Sequence, residues 1–353
     1  MTTRREVLGG LGAALAVAWG CNRRSAASDD PALPLGPMET RLAIYNWSDY
    51  IAPDTVRGFE RETGVRVTYD TYESNEEMFA KLQAGASGYD LAVPSSYMLP
   101  AMRASNLLAP LHGQYIQGRG AIAPLFRHPP FDPAEQFTVP WQWGITGIAW
   151  RRDLVRTAPS DWGIFFDQRW RGRMTMMDDG REVLGAMLKH RGRPLNDAEA
   201  ASLATAKADA IRAKANLRAY KSAPVKADLI AGDVWIAQLW NGDAAQAALD
   251  QPAISFVLPG DGSAIWTDSF VLLRDAPHPR AAHAFLEYIL RPDVAAKVAD
   301  ATGYGSPNAP ALARQRHPVP YPSPEERSRL EYFEDLGAAT ELWDRAWTEI
   351  KSA

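Results

Sequence analysis

Residues 42–97 constrain the fold more than any other stretch, because the spacing of their apolar side chains changes regularly. Alternation at every second residue is typical of strands, and recurrence every three or four residues is typical of helices. Five predicted elements follow one another: a strand at 42–47, a helix between Pro53 and Gly64, a strand at 65–71, a helix between Ser74 and Gly85, and a strand at 91–93. Strands alternating with helices at this spacing predict parallel pairing with right-handed crossovers.

Three loops follow these strands, at residues 47–50, 73–75 and 95–97. In open parallel sheets, ligands bind beyond the carboxyl ends of the strands, which is where these loops should lie. The loops carry aromatic rings, hydroxyls and carboxylates, with no Lys, no Arg and no glycine-rich phosphate loop. This edge of the sheet therefore favours a cationic, partly apolar ligand.

The chain has 353 residues, which is more than one hydrophobic core usually holds, so two lobes are expected. Residues 141–148 contain two glycines in an otherwise strand-like run, and we expect this run to cross into the second lobe. Residues 265–273 are predicted to form a long strand, and residues 325–352 a helical tail. Asn196 and Glu199 have capping-box spacing ahead of an alanine-rich helix. The formal net charge of −4 gives no indication of nucleic-acid binding.

Residues 1–21 have the features of an export signal rather than of a folded element. A twin-arginine pattern at 3–8 overlaps an apolar stretch at 7–20 that is too short to span a bilayer. The stretch ends at Cys21, which is either a lipidation site or a neighbour of an ordinary cleavage site. A single cysteine cannot form a disulfide within the chain. We expect export to the periplasm, with residues 22–40 as a tether.

Catalytic signatures are weak. The six histidines are scattered and none has metal-ligand spacing, and the sequence has neither a GxSxG elbow nor a Walker loop. Asp179 and Glu182 could act as the acid and base of a glycosidase, so this alternative stays open, whereas Asp178 is expected to cap a helix or to hydrogen-bond locally. We expect no enzymatic activity, no metal site and no cofactor.

Several segments, in one order along the chain, resemble the bacterial spermidine/putrescine-binding proteins of ABC transporters. They are NWSDYIAPDTVRGFERETG, ESNEE, GYDLAVPSSY, MMDDGREVLGAML, IAGDVWIAQLWNGD, IWTDSFVLL, ILRPDVAAKVADATGYGSPN and RAWTEIK, and together they extend over nearly everything after residue 40. The resemblance implies an α/β, two-lobe periplasmic-binding-protein fold of type II, each lobe a mixed, mostly parallel sheet flanked by helices. It also implies a monomer that captures a polyamine and delivers it to inner-membrane permease subunits.

The resemblance assigns the lobes and the ligand contacts. The first lobe would comprise residues 41–144 and 268–315, the second 147–264 and 316–353, with hinges near 144–147 and 264–268. The implied ligand-binding residues are Trp47, Ser48, Asp49, Tyr50, Ser95, Tyr97, Asp179, Glu182, Trp240, Asp243, Trp266, Asp268 and Tyr304. One position departs from the spermidine-type pattern, because Phe333 stands where a glutamine is found there.

These residue types suit a polyamine, which is a chain of methylenes that carries ammonium groups. Aromatic rings can cover the methylenes and make cation–π contacts, and carboxylates must pair with the ammonium groups when they leave water. Three aromatic–acid pairs occur at predicted strand ends: Trp47/Asp49, Trp240/Asp243 and Trp266/Asp268. Another cationic amine, an amino-acid derivative or a sugar remain alternative ligands, and a polyamine sensor would use the same residues.

Overall fold

The computed structural model describes residues 34–72, 74–85, 88–222, 224–319 and 321–353. The export signal, Cys21 and most of the tether lie outside these residues. The strands of the described part are β1 (Arg41–Trp47), β2 (Arg66–Tyr72), β3 (Leu91–Ala92), β4 (Leu108–Ala109), β5 (Thr138–Arg151), β6 (Met174–Met176), β7 (Leu217–Tyr220), β8 (Ile236–Trp240), β9 (Ile254–Val257), β10 (Ser263–Leu273) and β11 (Leu330–Tyr332).

The α-helices of the same residues are α1 (Pro53–Thr63), α2 (Asn75–Gln83), α3 (Leu99–Ala104), α4 (Gly180–His190), α5 (Ala200–Lys214), α6 (Val225–Ala231), α7 (Asn241–Asp250), α8 (Pro279–Ile289), α9 (Pro292–Thr302), α10 (Ala309–Leu312), α11 (Pro324–Arg327) and α12 (Thr340–Ser352). Short 3₁₀ turns occupy Ser96–Met98, Gly113–Tyr115, Gln117–Ala121, Pro124–Phe126, Trp162–Phe166, Gln168–Trp170 and Gly337–Ala339. None of the helices in the described part of the chain has the length and apolar character needed to cross a membrane.

The β-α-β-α-β start is confirmed, and its helix ends have local causes. Pro53 opens α1, where a missing N–H costs nothing, and Gly64 closes it with a φ of 73°. The Ser74 side chain caps α2 by accepting from the Glu77 N–H at 3.1 Å. Strand β1 pairs in parallel with both β2 and β3, as the alternation predicted. This arrangement brings the loops after β1 and β3 to one edge.

Two long strands, β5 and β10, pair with each other. Strand β5 also continues beyond β10 into a second set of strands. Residues 138–145 of β5 pair antiparallel with β10, and residues 146–151 pair with β8 and β9 instead. The order of the main path is β2-β1-β3-β10-β5-β8-β6-β7. We call β2-β1-β3-β10 with the first half of β5 the first sheet, and the second half of β5 with β8-β6-β7 the second sheet.

A separate hydrophobic core lies against each sheet. The first core includes Phe59, Trp143 and Phe285, and the second includes Trp162, Val183 and Trp343. Trp141 and Trp143 are buried in the first core and Trp162 in the second, so these indoles are packing residues.

The glycines of the run 141–148 lie at points of very close packing. Neither Gly144 nor Gly147 has a positive φ. A Cβ on Gly144 would come within 2.4 Å of the Trp266 ring, and a Cβ on Gly147 within 2.4 Å of the Phe256 ring. Both glycines therefore permit close packing where β5 passes between the sheets.

The prediction that residues 325–352 form a helical tail is wrong in part. Residues 330–332 form β11, which pairs in parallel with Ser263–Ile265, before α12 packs in the second core. Asn196 was also wrong as a cap: its side chain accepts from the Glu334 N–H at 3.0 Å and donates to the Tyr332 carbonyl at 2.8 Å. Helix α5 begins at Ala200 without a side-chain cap. These tail contacts are non-local, so local patterns could not predict them.

Candidate functional site

The loop after β3 meets the middle of β10 at a buried carboxylate. The Ser95 hydroxyl donates to Asp268 Oδ1 at 2.6 Å, and the two residues also form an isolated antiparallel bridge. Asp268 is only 5% exposed. Burial raises its pKa to about 7, against the opposing effect of the Ser95 hydrogen bond. Asp268 therefore has a raised pKa and no basic side chain as partner among its described hydrogen bonds.

Three aromatic side chains surround this carboxylate. The Tyr304 ring lies 5.3 Å from the Tyr50 ring and 5.2 Å from the Trp266 ring, both at steep angles. The Tyr50 hydroxyl is buried near Asp268 without meeting hydrogen-bond geometry. Tyr50, Trp266, Asp268 and Tyr304 thus come together as predicted, and they form a buried aromatic cluster around one acid.

The loop after β1 makes several contacts within the first sheet. The Trp47 indole N–H donates to the Val93 carbonyl at 2.9 Å, and its ring packs against Tyr72. Ser48 is partly buried, and Asp49 is exposed with a φ of 53°. Asp49 is close enough to Asp243 to raise the pKa of that carboxyl slightly, after the larger effect of burial. Asp49 therefore lies within electrostatic range of Asp243 on α7.

A second buried acid lies at the start of α4. Glu182 is 6% exposed, and its Oε1 accepts from the Thr146 hydroxyl at 2.9 Å and the Trp240 indole at 3.1 Å. Burial, and then the nearby Asp179 charge, raise the pKa of Glu182 well above its usual value. Thr146 was not predicted, although it lies in the glycine-containing run.

Asp179 acts as the cap of α4, the role expected of Asp178. One of its oxygens accepts from the N–H groups of Arg181 and Glu182 at 2.8 and 3.1 Å. Burial nevertheless raises the pKa of Asp179. Asp178 is instead exposed and pairs with Lys351 at 2.6 Å. The capping alternative for Asp178 is therefore wrong by one residue, and Asp179 combines a structural role with its place beside Glu182.

Tyr97 connects the first sheet with a cation that the sequence analysis did not select. Its hydroxyl donates to Glu76 at 3.1 Å and accepts from the Asn75 amide at 2.9 Å. The Arg181 guanidinium lies 5.5 Å from the centre of the Tyr97 ring. Arg181 lies between Asp179 and Glu182 in the DDGRE segment, so its place in the sequence already indicated a cation near these two acids. The absence of basic residues holds only for the three loops.

Phe333 is buried in a small cluster with Leu195 and Ala264. Its ring lies 6.3 Å from that of Tyr97 and 5.0 Å from the Arg181 guanidinium. At this position, where the resemblance implies a glutamine, the side chain is apolar and buried.

The last predicted acid, Asp243, lies on the first turn of α7 and is 6% exposed. The Tyr304 hydroxyl is close enough to Asp243 to lower the pKa of that carboxyl, against the larger effect of burial. Lys226 Nζ lies 3.2 Å from Asp243 Oδ1. Asp243 is therefore an acid of the predicted site that has a lysine within ion-pair distance.

Gly242 allows α7 to approach Tyr304 closely, and we expect Gly242→Ala to disturb this contact. A Cβ at this position would come within 2.3 Å of the Tyr304 ring. Overpacking of this kind costs about 1–3 kcal/mol of unfolding free energy. Urea unfolding measures the loss, and near-ultraviolet circular dichroism reports the displaced ring. Gly113→Ala is the matched control, because a Cβ there meets nothing within 4 Å. Equal stability of the two variants would contradict the prediction.

One histidine–carboxylate group, Asp161, His190 and Asp261, assembles elsewhere among the described residues. His190 Nδ1 lies 2.9 Å from Asp261, and Asp161 accepts from the Gly163 N–H and the Ser160 hydroxyl. These polar groups satisfy one another, and Asp161 caps a 3₁₀ turn. The group is explained by local structure, and we assign no ligand to it.

Comparisons with known proteins agree with this geometry. The family described as bacterial extracellular solute-binding protein matches residues 54–321. The spermidine/putrescine-binding periplasmic protein of Escherichia coli strain K12 is 30% identical over 320 residues, which covers 88% of this chain and 91% of that protein. The putrescine/agmatine-binding protein of Pseudomonas aeruginosa is 31% identical over 339 residues, which covers 89% and 92%.

A solved structure gives the same result for the fold. The TpPotD lipoprotein of Treponema pallidum superposes with a TM-score of 0.82 at 32% identity, covering 88% of this chain and 99% of that one. The predicted α/β periplasmic-binding-protein fold is thereby confirmed. With two sheets, two cores and a family match over most of its length, this chain belongs to the bacterial extracellular solute-binding proteins.

Proposed function

We propose that this protein captures a linear polyamine between its two sheets. The observation that carries the proposal is the pair of buried carboxylates, Asp268 and Glu182, each with a raised pKa and each beside aromatic rings. A buried carboxylate is costly unless a cation neutralises it. Two such acids, one on β10 and one on α4, suit a ligand with an ammonium group at each end.

Aromatic walls account for the middle of the ligand. Tyr50, Trp266 and Tyr304 provide ring faces near Asp268, and Trp240 provides an indole beside Glu182. Methylenes gain from contact with these faces, and ammonium groups gain from cation–π attraction of about 0.5–2 kcal/mol each. The relatives named for putrescine, spermidine and agmatine support the same ligand class.

The proposed action is closure without chemistry on the ligand. Residues near 144–147 and 264–268 would serve as hinges between a first lobe around the first core and a second lobe around the second core. Val319 and Tyr321 pack with the first core, so we place the return of the tail after residue 321. A ligand that contacts both lobes shifts the population toward the closed form. The closed form would then dock on inner-membrane permease subunits.

Location follows from the amino-terminal sequence and the family. We propose twin-arginine export to the periplasm, with lipidation at Cys21 as a second step. Both steps depend on residues outside the described part, so a labelled-lipid assay on wild-type and Cys21→Ser protein is their direct test.

Calorimetry tests the ligand class directly. We expect purified protein to bind putrescine, cadaverine or spermidine with one site, and to quench tryptophan fluorescence, because Trp240 and Trp266 lie beside the acids. Glucose at the same concentrations serves as the neutral comparison. Binding of the sugar without binding of any amine would favour the sugar alternative and overturn this proposal. Turnover of a glycoside that Glu182→Gln abolishes would favour the enzyme alternative.

A further inference from the structure

Asp243 differs from the other acids of the proposed site because a lysine ammonium lies within ion-pair distance of it. Lys226 Nζ lies 3.2 Å from Asp243 Oδ1 and donates to the Gln246 side-chain carbonyl at 3.0 Å. Burial raises the pKa of Asp243, and the Lys226 ammonium works against that shift. Asp268, by contrast, is held by the Ser95 hydroxyl, and Glu182 by Thr146 and Trp240.

The lysine is held in position from two sides. Its stem comes from α6, and its ammonium reaches the first two turns of α7, where both acceptors stand. The amide of Gln246 donates its N–H to the Thr302 carbonyl, so its oxygen must face Lys226. The side chain of Lys226 is 23% exposed and that of Asp243 only 8%. The ion pair is therefore ordered and largely shielded from solvent.

Asp243 also belongs to the ligand-facing region. Tyr304, which packs against Trp266 and Tyr50, lies against Gly242 next to Asp243 and is close enough to influence that carboxyl, and the Asp49 charge acts on the same group. A ligand ammonium that approached Asp243 would meet Lys226 at the same oxygen. Like charges at such short range repel, particularly where solvent screening is weak.

We propose that Lys226 is a specificity-determining residue, which occupies Asp243 with a tethered ammonium and so limits the number of ligand charges that the site accepts. The side chain of lysine is itself a primary ammonium on a methylene chain, chemically equivalent to one end of a polyamine. With Asp243 neutralised from within, Asp268 and the Asp179/Glu182 pair remain for the ligand. The site then favours a diamine over a triamine. This inference rests on the proposed polyamine function and deepens it.

The test compares spermidine, a triamine, with putrescine, a diamine, by calorimetry on full-length wild-type protein and Lys226→Gln. Glutamine keeps a hydrogen-bond donor near Asp243 and removes the charge. We expect the spermidine-to-putrescine affinity ratio to rise about tenfold in Lys226→Gln, equivalent to about 1.4 kcal/mol. Adding Asp243→Asn to this variant should return the ratio to the wild-type value, because the freed carboxylate is the cause of the gain.

Two further variants make the result decisive. Lys207→Gln removes one positive charge from α5, where Lys207 pairs with Glu349, and should leave the ratio unchanged. Lys226→Met, which lacks both charge and donor, should shift the ratio in the same direction as Lys226→Gln. Thermal melting of each variant identifies any that does not fold.

The outcomes separate the two proposals. An unchanged ratio in folded Lys226→Gln and Lys226→Met, with wild-type protein binding both amines, overturns the role of Lys226 alone. A lower ratio would show that Lys226 supports triamine binding, which also overturns it. If neither wild-type nor Lys226→Gln protein binds any amine, the polyamine function itself falls.

Discussion

Replacement of Asp268 by Asn is expected to weaken diamine binding by about 100-fold or more. Removing one member of a buried, hydrogen-bonded charge pair costs about 2–5 kcal/mol, and 100-fold corresponds to about 2.7 kcal/mol. Asparagine has nearly the same shape and can still accept from the Ser95 hydroxyl, so the change isolates the charge. Calorimetry with putrescine at pH 8 measures the effect, because Asp268 is mostly ionised above its pKa of about 7.

The same substitution should not destabilise the unliganded protein. The pKa of Asp268 is raised on folding, so the folded state holds its proton more tightly than the unfolded state does. This acid therefore lowers the stability of the fold as pH rises from about 4 to about 7, and removing its charge relieves that cost. Urea unfolding at pH 8 checks this point. Asp293→Asn, at an exposed ion pair with Arg291, is the control for both measurements. Normal putrescine binding by Asp268→Asn would remove Asp268 from the site.

Amine affinity should increase with pH between about 5.5 and 8. The ligand pairs with ionised carboxylates, and burial raises the pKa of Asp268 to about 7 and that of Glu182 further. Below these pKa values, binding must release protons, so each titrating acid changes affinity by about tenfold per pH unit. Ligand amines stay protonated over this range, because primary amines of this kind ionise near pH 10. Calorimetry in buffers of different ionisation enthalpy counts the released protons.

Glu182→Gln provides the internal check on this pH dependence. The variant should bind more weakly and release about one proton fewer, which flattens the slope without reversing it. Wild-type affinity that is constant from pH 5.5 to 8 would contradict the assignment of both acids to the ligand. A slope that survives unchanged in Glu182→Gln would leave only Asp268 in this role.

The sequence predicted those parts of the fold that depend on neighbouring residues. Pro53 at the start of α1, Gly64 after it and the Ser74 cap of α2 obey rules that act within four residues. Parallel pairing of β1 with β2 and β3 followed from the alternation itself. The strand in the tail was not predicted, because β11 forms by pairing with Ser263–Ile265, which lie far from it in the sequence.

The candidate site likewise has residues that could be predicted from motifs and contacts that could not. The motif series indicated Asp268, Tyr50, Trp266 and Tyr304, and the structure brings these residues together. The partner of Asp243 was not predictable, because Lys226 lies on a different helix in a segment with no motif. The tight fit of Gly144 against Trp266 likewise depends on the pairing of two distant strands.

The connections between the two cores have a consequence for attachment and movement. The chain passes between the two cores along β5, again at β10, and a third time in the tail. In the tail, Tyr321 packs against Phe126 in the first core, and Trp343 of α12 lies in the second core, where α12 packs against α5. The described chain thus crosses between the cores three times, an odd number, which leaves β1 with one core and α12 with the other. A molecule fastened through its amino-terminal side would be held by one half alone. The other half, which carries Glu182 and Lys226, would then be the part that moves relative to the point of attachment.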